Sequence, residues 1–378
     1  MTLLDWNATG LRVEARRDTP LQARFDVAGW GSALPERRVT NDELAAVLDT
    51  SDEWITARTG IKERRVSGPS ESTGPLALAA ARQALARAGL RGDQIDLVVV
   101  CTTTPEQPMP STAAQLAAQL GSSAGAFDLN AACAGFVYGL VVAGSMLQAG
   151  TARRVLLVGA DTLTRAVDWQ DRGTAVLFGD GAAALVLVGD PTGRAGHVTH
   201  AAHAAGTPGG PVVVTDDLPG GLLASDLVDD PEGVELLTIA AGGSGRPTTA
   251  DTLAAGDHFL RMDGREVFRR AVRAVTDSVL RTLDRAGCTP ADVDLFVPHQ
   301  ANARIIDAVV NRVGLPASTA VQTVDRHGNT SAASVPLALG EVADTGRLRD
   351  GSLVLTSGFG AGLTVGTSLL RWRSSRDQ

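Results

Sequence analysis

Between Ala134 and Leu147 the chain reads AGFVYGLVVAGSML, without one charged residue. A helix there is apolar on every face and belongs in the interior. Elsewhere the pattern repeats itself. RAGLRGDQIDLVVVC from Arg87 matches RAGCTPADVDLFVPH from Arg285 without gaps, at an offset of 198. At nearly the same offset Asn130-Ala-Ala-Cys133 falls against Asn329-Thr-Ser-Ala332, and RRVLLVGAD (153–161) falls against GSLVLTSGF (351–359). Three matches in order point to an internal duplication. Each copy runs helix, apolar strand, loop, buried helix, apolar strand, which predicts an α/β fold with a largely parallel sheet.

This reading divides the chain into an N-terminal extension (1–25), a first half (26–195) and a second half (196–378). Within the second half, about 206–257 contains PGGP, DLPGG, DDPEG and GGSGRP. That turn-rich, acidic stretch is expected to be a long surface loop or insertion, with a lid or pocket wall as the functional alternative.

Composition narrows the class. The 378 residues are 44% hydrophobic and 20% charged, as in ordinary globular proteins, and the net charge of −8 argues against nucleic-acid binding. Cysteines at 101, 133 and 288 make neither a disulfide framework nor a zinc pattern, so a cytoplasmic location is expected. The start of the chain lacks a signal peptide's apolar core, and the 134–147 run is too short to span a bilayer. No membrane association is expected.

Candidate chemistry centres on Cys133, at the first turn of the buried helix. The positive end of the helix dipole there favours thiolate over thiol. Downstream lie His299, in Pro298-His299-Gln300-Ala301-Asn302, and Asn329, in Gly328-Asn329-Thr330-Ser331. A cysteine takes up an acyl group as a thioester. An imidazole and a carboxamide are two neutral donors, as an enolate formed from a decarboxylating malonyl thioester requires. The run Ser357–Gly362 brings backbone N–H groups close. Those of Phe359, Gly360 and Ala361, with that of Cys133, are the expected oxyanion hole. These glycines lead into LTVGTSLLRW, which alternates like a strand, so a dinucleotide fingerprint is not the reading. His197, His200 and His203 recur every three residues without ligand company, and no metal site is expected. His258 and His327 have no partner legible in the sequence.

Five motifs carry a resemblance: TSDEWITARTGIKERR (50–65), NAACAGFVYG (130–139), DRGTAVLFGDGAAA (171–184), VPHQANARII (297–306) and DRHGNTSAASVPLAL (325–339). From about Arg24 to Trp372 the chain resembles β-ketoacyl-acyl carrier protein synthase III, a condensing enzyme of the thiolase-like superfamily. The resemblance implies a thiolase-like, duplicated, five-layered αβαβα fold, usually a homodimer, with no cofactor. Cys133 would be the acylated nucleophile, and His299 with Asn329 the decarboxylation pair. Trp54, Arg58, Arg172 and Asn302 would bind coenzyme A, with indole on adenine and guanidiniums on phosphates. The carrier-protein contact maps to Gln300–Arg304. Arg265, Arg269 and Arg273 recur every four residues and would extend that basic face along one helix. Met109 would help close the acyl pocket across the dimer, and Ala361 replaces a glycine common in the oxyanion loop.

The expected function is therefore decarboxylative Claisen condensation of a short acyl-CoA with malonyl-acyl carrier protein, initiating fatty-acid or polyketide synthesis. Two rivals stay open: an acyltransferase on the same scaffold, and a non-catalytic partner subunit.

Overall fold

The computed structural model describes residues 22–189 and 219–374. His197, His200 and His203, the boundary between the two halves, residues 206–218 and all but the end of the N-terminal extension lie outside the described residues.

Nine strands form the main sheet: β1 (Ala23–Ala33), β2 (Leu97–Cys101), β3 (Gly125–Leu129), β4 (Arg154–Asp161), β5 (Gly181–Gly189), β6 (Gly221–Asp229), β7 (Leu295–Pro298), β8 (Leu353–Phe359) and β9 (Thr364–Arg371). Their order is β7-β8-β9-β6-β1-β5-β4-β2-β3. The middle pair, β1 and β6, joins two related arrays. On either side β2 and β7, β4 and β8, and β5 and β9 take corresponding places. The array containing β7 has a single bridge, Phe296 to Ala320, where the other has β3.

The sheet corrects two expectations. It is mixed: β2 is parallel to β3 and β4, and β7 to β8, while the remaining neighbours are antiparallel. A parallel pair needs a crossover, and β8 runs into β9 through only a short turn. The repeat also slips by one residue. Leu97 pairs with Val155 and Leu295 with Val354, so the β4 and β8 copies stand 199 apart and not 198.

The turn-rich stretch is not simply a loop. It contains β6, bonded to β1 on one side and β9 on the other. The run Leu222-Leu223-Ala224 is short and lies between glycines and acids, so its pattern alone reads as loop. Asp226 inside the strand is 2% exposed and is held by Arg281 (2.8 Å) and Arg285 (2.9 Å). Its charge is a buried ion pair and not a sign of surface.

Seven helices matter for the site: α1 (Asp52–Thr59), α2 (Thr73–Arg87), α3 (Thr112–Gln119), α4 (Gly135–Gln148), α5 (Gly264–Arg285), α6 (Ala303–Val313) and α7 (Ser334–Asp344). α4 is the uncharged run, and it packs with α7 between the two arrays, touching strands of both. Phe136, Val137 and Leu140 share one core with Val335, Ala338 and Leu339. Burying each of the larger of these side chains stabilises by about 1.5–3 kcal/mol, which is why this sequence forms a central helix. α2 and α3 cover the outer face of the first array, and α5 and α6 that of the second. The result is the five-layered, thiolase-like αβαβα arrangement. Both central helices start at the same end of the sheet, and there the loops of the two arrays meet.

Candidate active site

Two twinned turns open the central helices. Asn130 Oδ1 accepts the Ala132 N–H at 3.1 Å, and Asn329 Oδ1 accepts the Ser331 N–H at 2.9 Å. Ala132 (φ +46°) and Ser331 (φ +51°) both sit in the left-handed region, which an asparagine-anchored turn imposes. The first turn delivers Cys133 to the start of α4. In the second, among the described residues, no acceptor bonds the Asn329 Nδ2, which leaves it available as a donor. Asn329 is fixed further by backbone bonds to Leu177 and Gly179, both 2.9 Å.

His299 follows β7, and its N–H donates to the Ser357 carbonyl on β8 at 2.6 Å. Its Nδ1 lies 2.6 Å from Ser334 Oγ, and the Phe359 ring stands edge-on with centroids 5.3 Å apart. Cys133, His299 and Asn329 line one cavity, together with Phe359, Gly360, Asn302 and the apolar side chains Phe178, Leu237, Met262, Val267, Phe268 and Ile305. Leu237 comes from the turn-rich stretch, which therefore contributes pocket wall.

The electrostatics reverse one expectation. Burial pushes the Cys133 thiol up to about 12, against the opposing effects of Ser331 Oγ, 3.3 Å from Sγ, and the residue's own N–H. That shift corresponds to about 4 kcal/mol, more than the ~2 kcal/mol upper end for a helix terminus. Desolvation wins, and the resting residue is a thiol. Burial also lowers His299 to about 3, so the imidazole is neutral. Cys101 and Cys288 are buried away from the cavity. Cys101 packs beneath α4, where a Cβ on Gly139 would lie 2.4 Å from its sulfur.

The oxyanion loop needs correction too. The Gly360 N–H donates to the Thr364 carbonyl at 2.9 Å, which takes it out of the expected hole. Ala361 opens a short 3-10 turn, Ala361–Leu363, so its N–H has no acceptor within that turn.

Trp54, Arg58 and Arg172 come together in one cluster. Ser51 caps α1 and Gly60 (φ +78°) ends it. The Arg58 and Arg172 guanidiniums each lie 4.8 Å from the indole centroid. Asn302 caps α6 through the Arg304 N–H (2.9 Å) and donates Nδ2 to the Arg58 carbonyl (3.1 Å). It links this cationic patch to the cavity.

The expected docking residues divide. Gln300 is 1% exposed, with Nε2 donating to the Pro298 and Val321 carbonyls and Oε1 accepting from Thr323 and Val324. A side chain so fully engaged is not free to meet a partner, so Gln300 is not a docking residue. Arg304 is exposed, with its guanidinium over Phe268 at 5.5 Å, at the cavity mouth. Arg265 is exposed on α5, whereas Arg269 is tied to Glu266 by two bonds of 2.9 and 2.5 Å. Met109 is 83% exposed and does not line the cavity of its own chain. His327 bonds Glu341 (2.5 Å) and His258 packs on Phe259.

Sequence reasoning missed Ser331 and Ser334. Both lie in the Asn329 motif, where hydroxyls at a helix start read as ordinary caps.

Comparison with known proteins bears on this geometry. Sequence models of 3-oxoacyl-[acyl-carrier-protein (ACP)] synthase III match residues 127–206 and, for its C-terminal part, 283–372. The chain is 46% identical over 347 residues to the β-ketoacyl-[acyl-carrier-protein] synthase III of Roseiflexus sp. (strain RS-1), covering 92% of this chain and 98% of that one. The corresponding protein of Symbiobacterium thermophilum is 45% identical, with 92% and 97% covered. The crystal structure of 3-oxoacyl-(acyl carrier protein) synthase III from Pseudomonas aeruginosa PAO1 superposes with a TM-score of 0.78 at 43% identity, covering 94% and 100%. A priming β-ketosynthase from a polyketide biosynthetic pathway superposes at 0.80 with 35% identity, covering 97% and 100%.

Proposed function

Because this chain belongs to the β-ketoacyl-[acyl-carrier-protein] synthase III family of condensing enzymes, we propose that it joins a short acyl-CoA to malonyl-acyl carrier protein through an acyl-Cys133 intermediate. The observation that carries the reading is that Cys133, His299 and Asn329 line one buried cavity.

In the first half-reaction the Cys133 sulfur attacks the acyl thioester carbonyl. The bond to the coenzyme A sulfur breaks, and the thiol proton leaves with coenzyme A. The N–H groups of Cys133 and Ala361 stabilise the intervening oxyanion. In the second, the malonyl carbon–carboxylate bond breaks, CO2 departs, and the electron pair forms an enolate whose oxygen is held by His299 and Asn329. The enolate carbon attacks the acyl thioester, the bond to the Cys133 sulfur breaks, and the expelled thiolate takes up one proton from solvent to return to the resting thiol. The electron pairs come from the Cys133 sulfur and from bonds of the two substrates, so the steps call on no cofactor. The low pKa of His299 suits this role, because a neutral imidazole donates a hydrogen bond to the enolate without quenching it with a proton.

Trp54, Arg58, Arg172 and Asn302 form the coenzyme A site, where adenine stacks on the indole by displacing a guanidinium that then meets phosphate. Arg304, with Arg265 and Arg269, receives the acidic carrier protein. The exposure of Met109 suits a residue that closes the pocket of a second copy in a homodimer. Among the described residues no helix is long and apolar enough to cross a membrane. The primer pathway is fatty-acid or polyketide initiation.

An acyltransferase without decarboxylation has no use for the Asn329 amide beside His299. The test is labelled malonyl-carrier protein incubated with the acyl-CoA-primed enzyme. Labelled CO2 and a β-ketoacyl product are expected; acyl transfer without CO2 release overturns the reading.

A further inference from the structure

We infer that Ser334 is a positioning residue that fixes the tautomer of His299, holding the imidazole proton on Nε2. The proposal rests on the reading of His299 as an enolate donor and adds what makes it one.

The argument is hydrogen-bond accounting. Ser334 opens α7 and is 1% exposed. Its Oγ lies 3.3 Å from the Gln300 N and 2.6 Å from His299 Nδ1. A backbone N–H can only donate, so Ser334 Oγ is the acceptor in the first contact. The second contact has two solutions. If Nδ1 carried the proton, two donors would point at Oγ and the serine hydroxyl proton would need another acceptor. Among the described residues, no other acceptor bonds that hydroxyl. A buried donor without a partner is disfavoured. The consistent solution has Oγ–H donating to Nδ1, which makes Nδ1 an acceptor and places the ring proton on Nε2. Nδ1 faces α7, so Nε2 is the nitrogen left for the cavity that His299 lines.

The rest of the environment leaves Ser334 to decide. The Phe359 edge constrains the ring plane but supplies no hydrogen bond. The His299 backbone is tied to Ser357, which holds the Cα and says nothing about the ring nitrogens. With the other tautomer, an Nε2 lone pair would face the enolate oxygen and repel it. The serine thus governs decarboxylation while touching no substrate.

The test uses the full-length protein with 15N-labelled histidine, the His299 signals being identified by their loss in His299→Gln. In the wild type at neutral pH, Nε2 should carry the proton and Nδ1 should show an unprotonated acceptor shift. Ser334→Ala should give a mixture of tautomers. Its malonyl decarboxylation should fall roughly 10-fold or more, short of the ~10²-fold for losing an oxyanion donor outright. Acylation of Cys133 should stay near wild type, which also reports an intact fold, and Ser334→Thr should restore decarboxylation. A wild-type proton on Nδ1, or an unchanged tautomer and decarboxylation rate in Ser334→Ala, overturns the inference. If His299→Gln itself decarboxylates normally, the enolate role of His299 fails while the tautomer assignment stands.

Discussion

Gly360 lies so close to Cys133 that a Cβ on it would sit 2.5 Å from the Cys133 nitrogen. Its backbone is extended (φ −158°), which any residue adopts, so the glycine is there for space. The twin turn makes the point by contrast. Asp161 stands 199 residues before Gly360, and its Oδ2 accepts the N–H of Ala332, 199 residues after Cys133, at 3.1 Å. A carboxylate fills the place in one turn that Gly360 leaves open in the other. Gly360→Ala should therefore slow acylation of Cys133 by about 10²-fold, the scale of one oxyanion donor. Stopped-flow acylation measures it, and an unchanged rate would remove the Cys133 N–H from the mechanism.

Cys133 alone among the three cysteines should gain acyl mass on incubation with acyl-CoA, and Cys133→Ser should gain none. Because burial holds the thiol near 12, iodoacetamide should alkylate the free enzyme slowly at neutral pH. The rate should still be climbing at pH 9. A plateau near neutrality would mean a preformed thiolate.

Asn329→Ala should still acylate but lose decarboxylation by roughly 10²-fold or more, since its Nδ2 acts on the enolate. Single-turnover assays of the two half-reactions separate the effects, and equal losses in both would contradict this division.

His299 also gives the fold a pH dependence. Its pKa is about 3 in the folded protein against 6.5 ordinarily. Between those values the unfolded chain binds a proton that the folded one does not. Stability is thus fully present above pH 6.5 and is lost as pH falls toward 3, by at most about 1.4 kcal/mol per unit from this group. Denaturant unfolding of His299→Gln should show a shallower acid decline. Parallel curves for the two proteins would show that His299 is not the source.

Arg304→Glu should lower kcat/KM for malonyl-carrier protein, more at low salt than at high, because charges at a rim chiefly raise association rates. Arg269→Glu should add less, since Glu266 already engages that guanidinium. Acylation by acyl-CoA should change little. Equal loss with both substrates would move the docking face elsewhere.

The uncharged run from Ala134 to Leu147 identified the central helix on its own, because a helix apolar on every face has no stable place but the interior. The repeat likewise foretold that the Cys133 and Asn329 turns are twins, since copies of one sequence pattern fold to one local geometry. Only the tertiary structure decided the rest. Gln300 adjoins His299 in one motif, yet its amide turns inward to the Val321 carbonyl and to the N–H groups of Thr323 and Val324, which the chain brings from beyond residue 320. β6 is a strand because β1 and β9, distant in sequence, bond its two edges. The helix dipole at Cys133 is local and was legible, but the desolvation that overrides it comes from every element packed around the thiol. The Ser334–His299 contact joins the start of α7 to the end of β7, across 35 residues. Local pattern carries the information about periodicity and turns; burial and hydrogen-bond partnership are properties of the assembled neighbours, and no stretch of chain contains them alone.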